Sequence, residues 1–303
     1  MNPITYLNGE YRSALEAQIS VTDWGFVQGI TLAEQLRTFG GVPFQLKEHL
    51  QRLAHGLQIV GWQDICSMTD LVPAIEAVVK HNRNLCDEAD DLGVTVLITP
   101  GTYPAYQTAE VGLPTICVHT YLLPFHLWSE QYIHGQVLKT VAIRQVPAEC
   151  WPPDLKCRSR MHYYLATQQA RRIHPRATAL LLDTSQRISE TPTSNVVGYF
   201  RGLGIVSPPA RRILPGISLR FLQHLAGELG IPWSERDLTV AELSQADEVL
   251  VTSTPFCVLP VAEFDNRQWP SAGQGPIYQQ LLEAWNRAVG LEIPAQATRF
   301  ASR

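Results

Sequence analysis

Leu46, Leu50, Leu53 and Leu57 recur at three- and four-residue intervals, directly after a strand-like run from Thr31 to Phe39 and a Gly40-Gly41 turn. The first spacing builds an apolar stripe on a helix, and the run before it is the length of a strand, so a sheet and a helix must bury each other's apolar faces. The stripe leaves Glu48, Gln51 and His55 elsewhere on the helix, and Arg52 requires a separate explanation.

The same grammar continues in both directions. Upstream, Ile4 to Leu7, an Asn8-Gly9 turn and the alternating stretch through Val21 predict a β-hairpin. Downstream, a helix is expected over Met68 to His81, then strands over Gly93 to Thr99 and Pro114 to Leu122. Pro124 to Ser129 breaks the pattern. Beyond it, helices are expected over His162 to Arg172, Ile217 to Leu229 and Ile277 to Val289, and strands over Ala179 to Asp183, Asn195 to Phe200, Ile205 to Val206 and Glu248 to Val251. The result is an α+β chain with a small domain over 1–123, a linker over 124–135 and a larger domain over 136–303.

A chain of 303 residues with 45% hydrophobic content can build two packed cores. With 24 Lys+Arg against 28 Asp+Glu, the formal charge of −4 gives no broad positive field, which argues against nucleic acid as a partner. The N-terminus lacks a cationic stretch followed by an apolar core, and no segment stays apolar long enough to span a bilayer, so a cytoplasmic location without membrane partners is expected. Six scattered cysteines show no Cys-x-x-Cys or Cys/His ligand spacing, so no metal site is expected.

The segments most suggestive of chemistry lie in the second half. Pro153-Asp154-Leu155-Lys156 sets a lysine between a proline-rich loop and a helix. Leu180-Leu181-Leu182-Asp183, Ile188-Ser189-Glu190-Thr191 and Thr193-Ser194-Asn195-Val196-Val197 follow. Then come Leu214-Pro215-Gly216-Ile217-Ser218, Ala246 through Thr254, and Leu259-Pro260-Val261. In the first half stand Tyr6 to Gly9, Gly25 to Gly29, Glu34 to Phe39 and Glu48-His49-Leu50-Gln51-Arg52-Leu53.

Taken in order, these segments resemble the class IV aminotransferases, the fold type IV group that includes branched-chain aminotransferases, D-amino-acid transaminases and aminodeoxychorismate lyases. The resemblance implies a two-domain enzyme of the D-amino-acid aminotransferase-like fold, with a smaller N-terminal α/β lobe, a larger β-barrel-like C-terminal lobe and pyridoxal 5′-phosphate as cofactor. It makes Lys156 the catalytic amine that carries the cofactor as a Schiff base, and Glu190 the carboxylate that keeps the pyridine nitrogen protonated. It gives phosphate and cofactor contacts to Arg52, Gly216, Ile217, Ser218, Ser253, Thr254 and Asn195, with the start of a helix at 216–218 suited to a dianion. It further implies a homodimer in which a loop of one subunit borders the other's cleft.

The expected reaction is transfer of an amino group between an amino acid, branched-chain-like or related, and a 2-oxo acid. An aminodeoxychorismate lyase-type elimination and a non-catalytic binding protein on the same scaffold are the alternatives. Specificity markers depart from the family's patterns. Ala33 stands where an aromatic residue is common, which opens room for a larger or differently shaped substrate. Ala105 and Gln107 replace the Arg-x-His trap of D-amino-acid transaminases. Val94 to Ile98 and Met161 lack the arginine and tyrosine of branched-chain enzymes. Arg160, four residues after Lys156 as in the lyases, joins Ala33 and Tyr164 as a candidate substrate contact.

Overall fold

The computed structural model describes residues 2–107 and 113–303, which form two compact units: 2–107 and 113–123 with 155–159, and 124–154 with 160–303.

The first unit contains β1 (Ile4–Leu7), β2 (Glu10–Ser13), α1 (Trp24–Val27), β3 (Leu32–Phe39), β4 (Val42–Pro43), α2 (Leu46–Ile59), α3 (Met68–Arg83), β5 (Leu92–Thr99) and β6 (Thr115–Leu122). Its strands make one sheet in the order β2-β1-β6-β5-β3-β4. The β1–β2 turn uses Asn8 and Gly9 at φ 51° and 91°, the left-handed pair that matches the twist of a two-residue hairpin. The hairpin ends at Ser13, so the stretch to Val21 expected to extend it runs outside the strands.

Strand alternation divides this sheet into two chemically distinct faces. Leu32, Leu36, Val94, Val96, Ile98 and Val118 pack with Leu50, Leu53 and Leu57 of α2 and Leu71, Ile75 and Val78 of α3. On the opposite face, register places Gln35 beside Thr95 and Thr95 beside His119, while Arg37 and Tyr121 flank Gly93. Ser67 caps α3 by accepting the Thr69 N–H at 3.2 Å.

The second unit contains α4 (Gln131–His134), β7 (Gln136–Arg144), α5 (Met161–Ile173), β8 (Ala177–Leu182), β9 (Asn195–Phe200), β10 (Gly204–Ser207), α6 (Ile217–Glu228), β11 (Trp233–Glu235), α7 (Val240–Leu243), β12 (Glu248–Ser253), β13 (Cys257–Phe264), β14 (Arg267–Gln268), α8 (Pro276–Val289) and α9 (Ile293–Arg299). The main path of its sheet is β11-β10-β9-β12-β13-β7-β8, with β14 paired to β13. Ala166 and Ala170 of α5 pack in one buried cluster with Ala177, Ala179 and Leu181. Residues 124–135, expected as linker, carry a 3-10 turn at Phe125–Leu127 and then α4. Among the described residues no helix is long and apolar enough to cross a membrane.

Candidate active site

In the second unit, Glu190 lies between β8 and β9, and the residue is 5% exposed. An isolated carboxylate at that depth is strongly disfavoured, and the chain surrounds it with donors. Oε1 accepts the Gln145 Nε2–H at 2.6 Å and the Tyr163 hydroxyl at 2.8 Å, and Oε2 accepts Leu214 N–H at 3.2 Å and Asn195 Nδ2–H at 3.3 Å.

Asn195 ties this carboxylate to the start of α6. Its Nδ2 also donates to Leu214 O at 2.9 Å, and a side chain on Gly216 would overlap its Oδ1. Gly216 stands at the N-cap of α6 without a side-chain cap. The first amides of the helix therefore have no intrahelical partner, which makes the end of the helix electropositive. Ile217 is buried, and the buried Ser218 hydroxyl has no hydrogen-bond partner among the described residues.

β12 reaches the same place because Thr252 pairs in register with Asn195. The Thr252 hydroxyl donates to Cys257 O at 2.7 Å and the Ser253 hydroxyl to Thr193 O at 2.6 Å, so both are committed to backbone. Thr254 follows in the turn after β12, with its side chain in no described hydrogen bond. Arg160, at the N-cap of α5, donates to Pro192 O and holds its guanidinium 4.5 Å from the Tyr163 ring centre. Tyr164 is 60% exposed on α5.

Lys156 belongs to the first unit. Residues 155–159 cluster there because their backbone pairs with the start of β3: Ala33 N–H donates to Lys156 O at 3.1 Å, and Arg158 N–H donates to Thr31 O at 2.9 Å. Cys157 pairs with Leu32, and both Leu155 and Cys157 pack against the apolar core. Alternation then turns Lys156 and Arg158 toward the polar face of the sheet that carries Ala33, Gln35, His119 and Tyr121. On that face Gln35 Nε2 donates to the Tyr121 hydroxyl at 2.7 Å.

Arg52 lies on the buried side of α2. Its Nε and Nη2 donate to Glu34 Oε1 and Oε2 at 2.7 and 2.8 Å, and His49 Nδ1 is 2.8 Å from Glu34 Oε2. Burial pushes the Glu34 carboxyl up, but the Arg52 charge and the hydrogen bonds from Arg52 and His49 outweigh it, leaving the group well below the usual carboxylate range. Burial lowers His49 despite its carboxylate partner, and the Arg52 and Lys156 charges act in the same direction.

Chemically, the second unit offers a buried, donor-held anion beside an electropositive helix start, and the first offers an amine flanked by a polar sheet face. Within the second unit, Glu190, Asn195, Gly216, Ile217, Ser218, Ser253 and Thr254 converge. Gln145 and the Glu34–His49 pair gain their importance only from geometry. Gln145 has no sequence signal at all, whereas Glu34 and His49 stand inside the motif runs without an evident task.

The profile described as amino-transferase class IV matches residues 31–264. The chain is 27% identical over 292 residues to a D-alanine aminotransferase of Staphylococcus aureus, covering 94% of this chain and 97% of the relative. It is 29% identical over 280 residues to a putative branched-chain-amino-acid aminotransferase of Methanocaldococcus jannaschii, covering 92% and 93%. A hypothetical aminotransferase from Mycobacterium tuberculosis, solved in its PLP-bound form, shares the fold, at a TM-score of 0.82 and 19% identity over 94% of this chain and 98% of that one.

Proposed function

The chain belongs to the class IV aminotransferase family, and from that membership we propose that it moves an amino group between an amino acid and a 2-oxo acid, with pyridoxal 5′-phosphate held covalently by Lys156. The observation that carries this reading is the Asn195 side chain, which joins the Glu190 carboxylate to the start of α6 through two hydrogen bonds. A phosphorylated pyridine needs an anion at one end and anion-binding donors at the other, and the second unit supplies both within one cluster. The residues present therefore fit the cofactor.

When bound, the cofactor supplies an aldehyde carbon and a ring that accepts electrons from the substrate's Cα. Lys156 Nζ holds it and, once released, takes up the proton that leaves Cα. Glu190 presents negative charge to the ring nitrogen. Ser218, Thr254 and the first amides of α6 donate to the phosphate, with Arg52 adding a guanidinium whose orientation Glu34 fixes. Ser253 and Asn195 shape this cradle through their backbone partners. Ala33, Arg160 and Tyr164 are assigned to the substrate side, where the small Ala33 side chain leaves space for a bulky or branched substituent.

The same reading includes a cytoplasmic homodimer. Leu15, Val21 and Phe26 of the first unit are 80%, 73% and 74% exposed, an apolar set suited to burial against a second copy. Sedimentation at micromolar concentration should give twice the chain mass, and a monomer would remove this part of the proposal.

The decisive experiment is Lys156→Ala. It should abolish multiple turnovers and the visible absorption of the covalently held cofactor, and normal turnover by the variant would overturn the assignment. Mixing wild-type holoenzyme with single L- or D-amino acids and following the loss of that absorption identifies the amino donor.

A further inference from the structure

Glu190 is held asymmetrically. Its Oε1 contacts are 2.6 and 2.8 Å, whereas those to Oε2 are 3.2 and 3.3 Å. A carboxylate offers about four lone-pair sites, so a further N–H donor competes with the donors already described. The longer pair is weaker and yields first, so an incoming ring N–H takes Oε2 while Oε1 stays clamped.

The clamp is itself determined. Glu190 is an acceptor, so the Gln145 amide must turn its NH₂ toward Oε1, and the same Nε2 donates to the Tyr163 hydroxyl oxygen at 2.8 Å. Gln145 Oε1 then faces His162 Nε2 at 3.1 Å, which requires the imidazole to carry its proton on Nε2. The His162 and Tyr163 rings lie 3.9 Å apart, and the Arg160 guanidinium covers Tyr163. Burial and the neighbouring Glu190 charge push the Tyr163 phenol well above its ordinary value, so it remains a donor.

We propose that Tyr163 and Gln145 are positioning residues for the cofactor's ring nitrogen: they fix Oε1 of Glu190, aim Oε2 at the nitrogen, and are held in place by the Nε2–H tautomer of His162. The proposal rests on the function argued above. It concerns how this chain orients its carboxylate, and neither Tyr163 nor Gln145 needs to touch the substrate.

The test uses holoenzyme reconstituted with pyridoxal phosphate labelled with ¹⁵N in the ring. Tyr163→Phe and Gln145→Met should each move the ring-nitrogen resonance toward its unprotonated position and weaken cofactor affinity about tenfold, as expected for loss of one hydrogen bond to a charged group. Thr167→Val perturbs the same helix by removing the Thr167 hydroxyl's bond to Tyr163 O, and it should leave the resonance in place. Two separate variants guard against a folding failure in either one. Should wild type show a protonated nitrogen that neither variant moves, the positioning role is overturned while the aminotransferase reading stands. Should wild type fail to bind the cofactor at Lys156, the underlying reading falls instead.

Discussion

Glu34 receives the guanidinium of Arg52 on both carboxylate oxygens, at 2.7 and 2.8 Å, with the acid fully buried. Such a pair contributes little net stability compared with an apolar replacement, but removing the carboxylate takes from the buried guanidinium and from His49 the bonds they make to Glu34, at a cost of about 3–5 kcal/mol. Glu34→Ala should lose that much in urea unfolding at neutral pH. It should also weaken cofactor binding, because Arg52 loses the fork that orients it. A loss below about 1 kcal/mol would show that water or another group satisfies Arg52 without Glu34.

Stability should fall as pH drops below about 6.5, the unperturbed histidine value. His49, His119 and His162 are all lowered in the folded state: the first two chiefly by burial, the third by burial and the Arg160 charge. Between the folded and unfolded values the unfolded chain binds more protons, so acid favours unfolding through that window. Glu34 acts in a more acidic window: its depressed folded value stabilises the native state above the unfolded carboxylate range, and that contribution disappears as pH falls toward the folded value. His49→Gln should flatten the first decline, whereas the second should persist because the Arg52 charge and hydrogen bonds still lower Glu34. An unchanged slope between pH 5 and 7 would exclude His49 as a contributor.

Gly93 gives Tyr121 its place. A Cβ on Gly93 would overlap the tyrosine ring, which lies across β5 and lets the hydroxyl reach Gln35. Gly93→Ala should therefore cost about 1–3 kcal/mol from overpacking. Adding Tyr121→Ala should recover part of it, a non-additivity readable in a double-mutant cycle. Additive losses would mean that the ring moves aside without strain.

Much of this architecture is legible from periodicity. The leucine stripe marks α2, observed at Leu46–Ile59, and the run ending in Val289 marks α8, observed at Pro276–Val289. Each has an apolar repeat long enough to exceed local ambiguity. β7 and β13 are harder to see: β7 mixes Lys139 and Thr140 into its run, and β13 contains Pro260. The Lys156 segment is the instructive case. Its place in the chain puts it among second-domain residues, yet backbone hydrogen bonds to Ala33 of β3 and to Thr31 just before it draw residues 155–159 into the first unit. Periodicity cannot reveal such a pairing, since neither strand's side-chain pattern specifies its neighbour. Gln145 is equally silent in sequence, because its role depends on a carboxylate 45 residues away.

Gly216→Ala separates close approach from backbone freedom. Gly216 has φ −61° and ψ 137°, a conformation alanine adopts without strain, so no penalty arises from the dihedral itself. The added methyl instead meets Asn195 Oδ1, and Asn195 is the side chain that bonds both Glu190 and Leu214 O. Displacing that amide disturbs the carboxylate and the helix start together, whereas Ser218→Ala removes one donor and leaves Asn195 in place. Cofactor affinity, measured by titrating apoprotein with pyridoxal phosphate, should therefore fall more for Gly216→Ala than for Ser218→Ala, with the latter losing about tenfold. Asn195→Ala combined with Gly216→Ala should bind no more weakly than Asn195→Ala alone, since the steric conflict is gone. If Gly216→Ala binds as wild type does, the close approach is relieved by a small shift of Asn195 and the coupling through that amide is refuted.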